Sequence, residues 1–181
     1  MKKLISAVLT VSMLLALLAG CGGQTAQETT TAPADSLEGT LEDLLNQVVT
    51  EQPVEFTGGI TNLDLTDTSE NGLYMLKNYT GLDSAESITE AAAFEPMMGS
   101  IAFSMVMVRV APEADPQTVA QSMKDGIDPR KWICVEADDL KVTGFGDVVM
   151  LIMVSSTLDV TAQSYVDAFA KVAGGSVDFQ I

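Results

Sequence analysis

The chain of 181 residues has no histidine, one tryptophan, two cysteines and only nine lysines and arginines against 25 aspartates and glutamates. The missing imidazole excludes Ser-His and Cys-His nucleophile pairs and every His-ligated metal centre. The shortage of basic side chains, a formal net charge of -16, argues against a nucleic-acid partner, because phosphate binding rests on a Lys/Arg footprint. What is plentiful is apolar: 47% of the residues are hydrophobic, and a chain of this length buries about 70% of its unfolded surface. That is enough for one compact domain.

The first residues read as an address. Met1-Lys2-Lys3 is a positive start, and Leu4 to Leu18 is an apolar run interrupted by Ser6, Thr10 and Ser12. At about 15 residues the run is short for a membrane span and has the form of a secretory signal. It ends in Leu18-Ala19-Gly20-Cys21, which resembles the lipobox of bacterial lipoproteins. There the signal is cut before the cysteine and the thiol is diacylated. Residues 1–20 are then the signal peptide and Cys21 the lipidation site, and two acyl chains hold a protein on a bilayer far more firmly than one. The expected location is the outer face of the cell membrane. Cleavage takes away Lys2 and Lys3, leaving seven basic against 25 acidic residues, 7 minus 25 or -18. Cys134 is left without a disulfide partner. Its place in Trp132-Ile133-Cys134-Val135 predicts a buried small hydrophobe, although Arg130 and Lys131 stand near enough to activate a thiol.

Residues 21–37 carry the lipidated cysteine and a Gly-, Gln-, Thr-, Ala- and Pro-rich stretch, read as a disordered tether because it holds too little apolar surface to offset ordering. A single domain is expected over 38–181. Leu41, Leu44, Leu45, Val48 and Val49 follow helical spacing behind Thr40, with Pro53 as the stop. The segment from Thr57 to Gly72 reads as a turn-rich connection, and Leu73 to Tyr79 as a short helix. Strands are expected at Ser87 to Phe94 and Ile101 to Val110. In the latter, Ile101, Phe103, Met105 and Met107 share one face and Ala102, Val106, Val108 and Val110 the other, so the strand is apolar on both sides. Asp115-Pro116 starts a helix lined by Val119, Ala120, Met123 and Ile127. Gly146-Asp147 joins Lys141 to Phe145 with Val148 to Val154 in a hairpin. Asp159 or Thr161 caps a last helix carrying Tyr165, Val166, Phe169 and Val172, and Val177 to Ile181 is a candidate edge strand. The order predicts an α+β domain with a mostly antiparallel sheet of about four strands and helices packed on one face.

With these features in place, the lipobox, the Thr-rich tether, the apolar run Ile101 to Val110, the Asp115-Pro116 helix and Gly146-Asp147 leading into Val148 to Val154, the chain resembles a family of small bacterial lipoproteins built on a domain of unknown function. The resemblance covers about Leu73 to Val172. It implies a fold and a location, and it brings no catalytic residues.

The candidate metal ligands are Asp64, Asp67 and Glu70, with Asn71 beside them, because oxygen-rich loops suit hard cations. Their spacing is not that of an EF-hand, and a solvated loop explains them as well. Glu136, Asp138 and Asp139 form a second acidic cluster, read as a solvated helix start. Met97-Met98 and Met105-Val106-Met107 supply thioethers able to bind copper(I), although Met also fills cores without any ligand. Ser122 and Lys124, two apart on a helix, point in different directions and make no nucleophile pair. Gly144-Phe145-Gly146 precedes a strand and is a turn, not a dinucleotide fingerprint.

These features lead to the expectation of a lipid-anchored, non-enzymatic binding or adaptor domain. Its partners would be the membrane, through Cys21, and an envelope protein, with no cofactor implied. A carboxylate-based enzyme or accessory subunit acting on envelope material, and divalent-cation binding, are the alternatives.

Overall fold

Among the described residues, four helices begin where capping side chains allow them to. The computed structural model describes residues 36–181, so the signal run, Cys21 and nearly all of the expected tether lie outside the described residues. In α1 (Leu41–Glu51) the Thr40 hydroxyl accepts the Asp43 amide, and Leu41, Leu44, Leu45 and Val48 are buried. In α2 (Glu70–Thr80) Ser69 accepts from Gly72, and Gly81 ends the helix at φ 78°. A Cβ there would also lie 2.5 Å from the Met123 carbonyl, so glycine allows both the left-handed turn and close packing on the neighbouring helix. That neighbour is α3 (Pro116–Gly126), capped by Asp115 onto Thr118 with proline in the first turn. In α4 (Ala162–Val172) the cap is Thr161, which accepts from Ser164. Each cap satisfies one of the amides a helix start leaves without a partner.

The strands are β1 (Gly58–Asn62), β2 (Ile88–Pro96), β3 (Phe103–Val110), β4 (Asp139–Phe145), β5 (Val148–Val154) and β6 (Phe179–Gln180). They form one antiparallel sheet in the order β1-β2-β3-β5-β4-β6. The fold is therefore α+β with six strands, not about four. The two that raise the count are the edges, where a short strand needs little apolar surface: β6 spans two residues within the candidate edge Val177 to Ile181, and β1, which was not expected, carries one aliphatic side chain, Ile60. The connection expected over Thr57 to Gly72 thus contains β1 and the start of α2.

The sheet is buried on both sides. Phe103, Met105 and Met107 of β3 join Met150 and Ile152 of β5 in one core with residues of α1 and α4. Val106, Val108 and Val110, with Val149, Leu151 and Met153, form a second core with residues of α2 and α3. The helices divide two and two between the faces instead of covering one. All seven residues of β5 are buried, which explains why its sequence is a continuous apolar run and not an alternation. Each large aliphatic side chain so placed contributes about 1.5–3 kcal/mol.

The two ends of the sheet differ. At one end Arg109 faces Val148 across the sheet, beside the Gly146-Asp147 turn. The described chain begins there. Leu37 N–H donates to Asp147 Oδ1 at 3.1 Å, and Arg109 donates to Asp147 Oδ2 at 2.7 Å and to the carbonyls of Leu37 and Gly39 at 3.1 and 2.7 Å. At the other end Gly58 pairs with Pro96, Phe103 with Val154 and Asp139 with Val154. The eight residues of β3 separate the ends by about 25 Å at roughly 3.3 Å per residue.

Candidate functional site

The features with chemical potential gather at the second end. On the face covered by α1 and α4, Pro53 releases the chain from α1 and Phe56 turns inward. Its ring lies 5.1 Å from Phe103, which in turn meets Tyr165 of α4 edge-on at 5.1 Å. Around this stack opens a cavity of about 420 Å³, walled by Val54, Phe56, Ile101, Leu158, Val160 and Tyr165. Glu55 and Asp159 also border it, both exposed, and among the described residues no basic side chain does.

Tyr165 is fully buried, and among the described residues its hydroxyl is the one buried side-chain polar atom without a hydrogen-bond partner. Burial pushes the phenol up to about 12, because the anion would lose its hydration. A buried tyrosine hydroxyl ordinarily finds a partner.

One wall of the cavity, the loop 155–161, is pinned by the second acidic cluster. Asp138 accepts from the Ser156 amide and hydroxyl at 2.6 and 2.5 Å, and Asp139 accepts from the Ala162 amide at 2.8 Å. The bonds from Ser156 hold the Asp138 carboxyl below the usual aspartate range. Glu136 pairs instead with Arg130 at 2.7 Å. The cluster is not a helix start, because the residues after it enter β4 directly, and each acid serves a separate partner.

On the opposite face of the same end, Lys131 reaches down onto the sheet. Its Nζ donates to Glu95 Oε1 at 2.5 Å, to Ser104 Oγ at 3.1 Å and to the Asn78 carbonyl at 3.3 Å, while Ser104 donates to Glu95 at 2.6 Å. The ammonium lies 5.0 Å from the centre of the Tyr79 ring and 5.4 Å from that of Trp132, close enough for cation-π attraction. The side chain is 4% exposed. Burial pushes Lys131 below the usual lysine range, and the charge and hydrogen bond of Glu95 oppose that fall. A serine and a lysine in contact suggest a nucleophile and its base. Here, however, lysine donates to the hydroxyl it would have to deprotonate, and Ser104 is wholly buried. The arrangement is a closed polar node that ties the 128–137 segment to the sheet.

Ser122 and Lys124 play no part in this node; Ser122 donates to the Thr118 carbonyl of its own helix. Ser104, Glu95 and Lys131 were missed because 9 to 36 residues separate them in sequence. A signal was present: Ser104 is a lone hydroxyl in a strand apolar on both faces, and such a group requires a partner.

The other sequence candidates form no ligand set: Asp64, Asp67 and Asn71 border one small cavity, but each aspartate is occupied by its own loop. Asp64 accepts from the Thr66 amide and hydroxyl, Asp67 from the Ser69 amide, and Glu70 sits in the first turn of α2. The bonds from Thr66 and Ser69 hold Asp64 and Asp67 below the usual aspartate range. Among the described residues no three His, Cys, Asp or Glu side chains converge on a point. The expectation of a buried Cys134 is corrected: it is exposed, and its neighbour Ile133 is 98% exposed. The segment carries no strand to turn its apolar residues inward, and only Trp132 packs, against the α2–α3 core. Met105 and Met107 are fully buried whereas Met97 and Met98 are exposed, so the thioethers do not face one another. Among the described residues no helix is long and apolar enough to cross a membrane. No family model, curated protein or solved structure matches the chain.

Proposed function

We propose that the protein is an extracytoplasmic bacterial lipoprotein, acylated at Cys21, whose domain binds a ligand or envelope partner and catalyses no reaction. The anchor rests on Leu18-Ala19-Gly20-Cys21 and the apolar run before it, and the resemblance to small bacterial lipoproteins belongs to the same reading. The observation that carries the binding role is the separation of the two ends of the sheet. Ser36 and Leu37 meet the domain at Asp147, while the Tyr165 cavity and the exposed Met97, Met98 and Ile133 belong to the other end.

Ser36 lies 36 minus 21, or 15, residues from Cys21. A polar chain of that length has a mean reach of about 20 Å, so an acylated chain keeps the Asp147 end near the bilayer and presents the cavity end outward. The closed state of the Ser104–Lys131 node favours binding over catalysis, since its nucleophile meets no solvent.

Two measurements test this reading. Fractionation of cells should place the wild type with membranes and release Cys21→Ala; equal retention of the two overturns the anchor. A photo-crosslinking residue at position 98 or 133 should capture a reproducible envelope partner that one at position 38 does not. Equal capture from all three positions, or from none, overturns the outward binding end.

A further inference from the structure

We propose that the cavity walled by Tyr165 is a binding site for an uncharged or cationic small organic molecule with an apolar body and an oxygen that accepts a hydrogen bond from the phenol. The proposal names the ligand class for the binding role given above and rests on that reading. Four observations converge on it.

The Tyr165 hydroxyl is buried without a partner. Phenylalanine would make the same edge-on contact with Phe103 and avoid the unmet hydrogen bond; because the hydroxyl presents no surface to the cavity, a ligand oxygen reaches it by a small movement of the wall. Val54, Phe56, Ile101, Leu158 and Val160 make one side of the cavity apolar, Gln52 and Thr157 join the two carboxylates on its polar side, and a volume of about 420 Å³ lies in the range of small-molecule sites, roughly 300–1,000 Å³. The charges on the border are the carboxylates of Glu55 and Asp159, without a cation to balance them, which disfavours carboxylate, sulfate or phosphate ligands and tolerates an amine. Finally the walls are held in advance: Asp138 fixes the 155–157 turn, Asp139 fixes the start of α4, and Phe56 is locked against Phe103. A preformed site loses little ordering entropy on binding.

The test uses the chain from Ser36 onward, whose described residues supply both cores. The probe is prodan, a neutral naphthalene with a carbonyl acceptor whose emission reports polarity and hydrogen bonding. Its anionic counterpart is 1-anilinonaphthalene-8-sulfonate. Prodan should bind saturably at one site with blue-shifted emission. Tyr165→Phe should weaken it about five- to tenfold, the worth of one hydrogen bond, and shift the bound emission further to the blue. Leu158→Trp, at a half-buried wall position, should abolish binding while the thermal melt stays cooperative. The sulfonate should bind at least about tenfold more weakly than prodan.

Absence of saturable prodan binding to the folded chain overturns the proposal, as does equal affinity in wild type, Tyr165→Phe and Leu158→Trp, or equal affinity for the sulfonate. The two readings fail separately. If crosslinks from position 98 or 133 persist while prodan does not bind, the cavity proposal falls alone. If prodan binds and the fractionation or crosslinking fails, the anchored reading falls and the cavity stands.

Discussion

Lys131 and Glu95, 36 residues apart in sequence, meet through an ammonium and a carboxylate oxygen 2.5 Å apart, with the lysine side chain 4% and the glutamate 22% exposed. A pair this deeply placed is costly to break from one side, because the surviving charge loses its partner without regaining water. Lys131→Met should therefore destabilise the domain by about 2–4 kcal/mol, measured by urea unfolding. The double variant Lys131→Met, Glu95→Gln should recover more than half of that loss. If the double variant is no more stable than the single, the node is held by packing against Tyr79 and Trp132 and not by charge.

Tyr165→Phe should leave the domain at least as stable as the wild type, and up to about 1–3 kcal/mol more stable, since it removes a buried hydroxyl that lacks a partner. The phenol supplies a second readout. Its pKa stands above its unfolded value, at about 12, so the phenol leaves stability independent of pH below about 10 and costs the fold stability as pH rises from there through 12. An ultraviolet titration should show one of the three tyrosines ionising near pH 12, and that step should vanish in Tyr165→Phe.

Asp147 holds the first described residues through the Leu37 amide, the Ser36 hydroxyl and the Arg109 guanidinium. Asp147→Ala should speed amide exchange at Leu37 by tenfold or more. It should cost the domain about 1–3 kcal/mol, because Arg109, 15% exposed on its side chain, loses the nearer of its two carboxylate partners and keeps Glu90 at 3.6 Å. Unchanged exchange at Leu37 would show that Leu41 and its neighbours in α1 hold this segment without the clasp.

Asp138 keeps its folded-state carboxyl below the usual aspartate value through two bonds from Ser156. A lowered acid stabilises the fold above its unfolded pKa, and that contribution disappears as pH falls through the folded value. The Ser156 amide should stay protected at pH 5 and lose protection only below the ordinary aspartate value of 3.8. Asp138→Ala should show the same loss of protection at neutral pH.

Exposure also orders the sulfur chemistry. Met97 and Met98, 75% and 60% exposed, should oxidise in dilute peroxide well before Met105 and Met107, which are fully buried. Cys134 should react with a maleimide in the folded protein at a rate close to that in urea. A large rate increase on unfolding would return Cys134 to the interior.

Much of the architecture was legible because it is periodic. The two apolar faces of Ile101 to Val110 sort into the two cores, the Val148 to Val154 run is the buried partner strand, and Asp115-Pro116 caps α3. The edge strands were less legible because β1 and β6 borrow their order from β2 and β4 and carry little pattern of their own. Cys134 and Ile133 misled for the opposite reason: an apolar tetrapeptide looks like core, but without a strand around it only Trp132 finds a place to pack.

By itself, then, the sequence determined the α+β class, the starts of α1 and α3, the hairpin at Gly146-Asp147 and the exclusion of histidine chemistry, because caps, turns and apolar spacing act over a few residues. Only the tertiary structure decided that the helices cover both faces, that Glu95, Ser104 and Lys131 meet, and that Phe56, Ile101, Leu158 and Tyr165 enclose one cavity. Those contacts join residues tens of positions apart, and their partners are chosen by sheet order and by which face each strand residue takes, neither of which local pattern encodes.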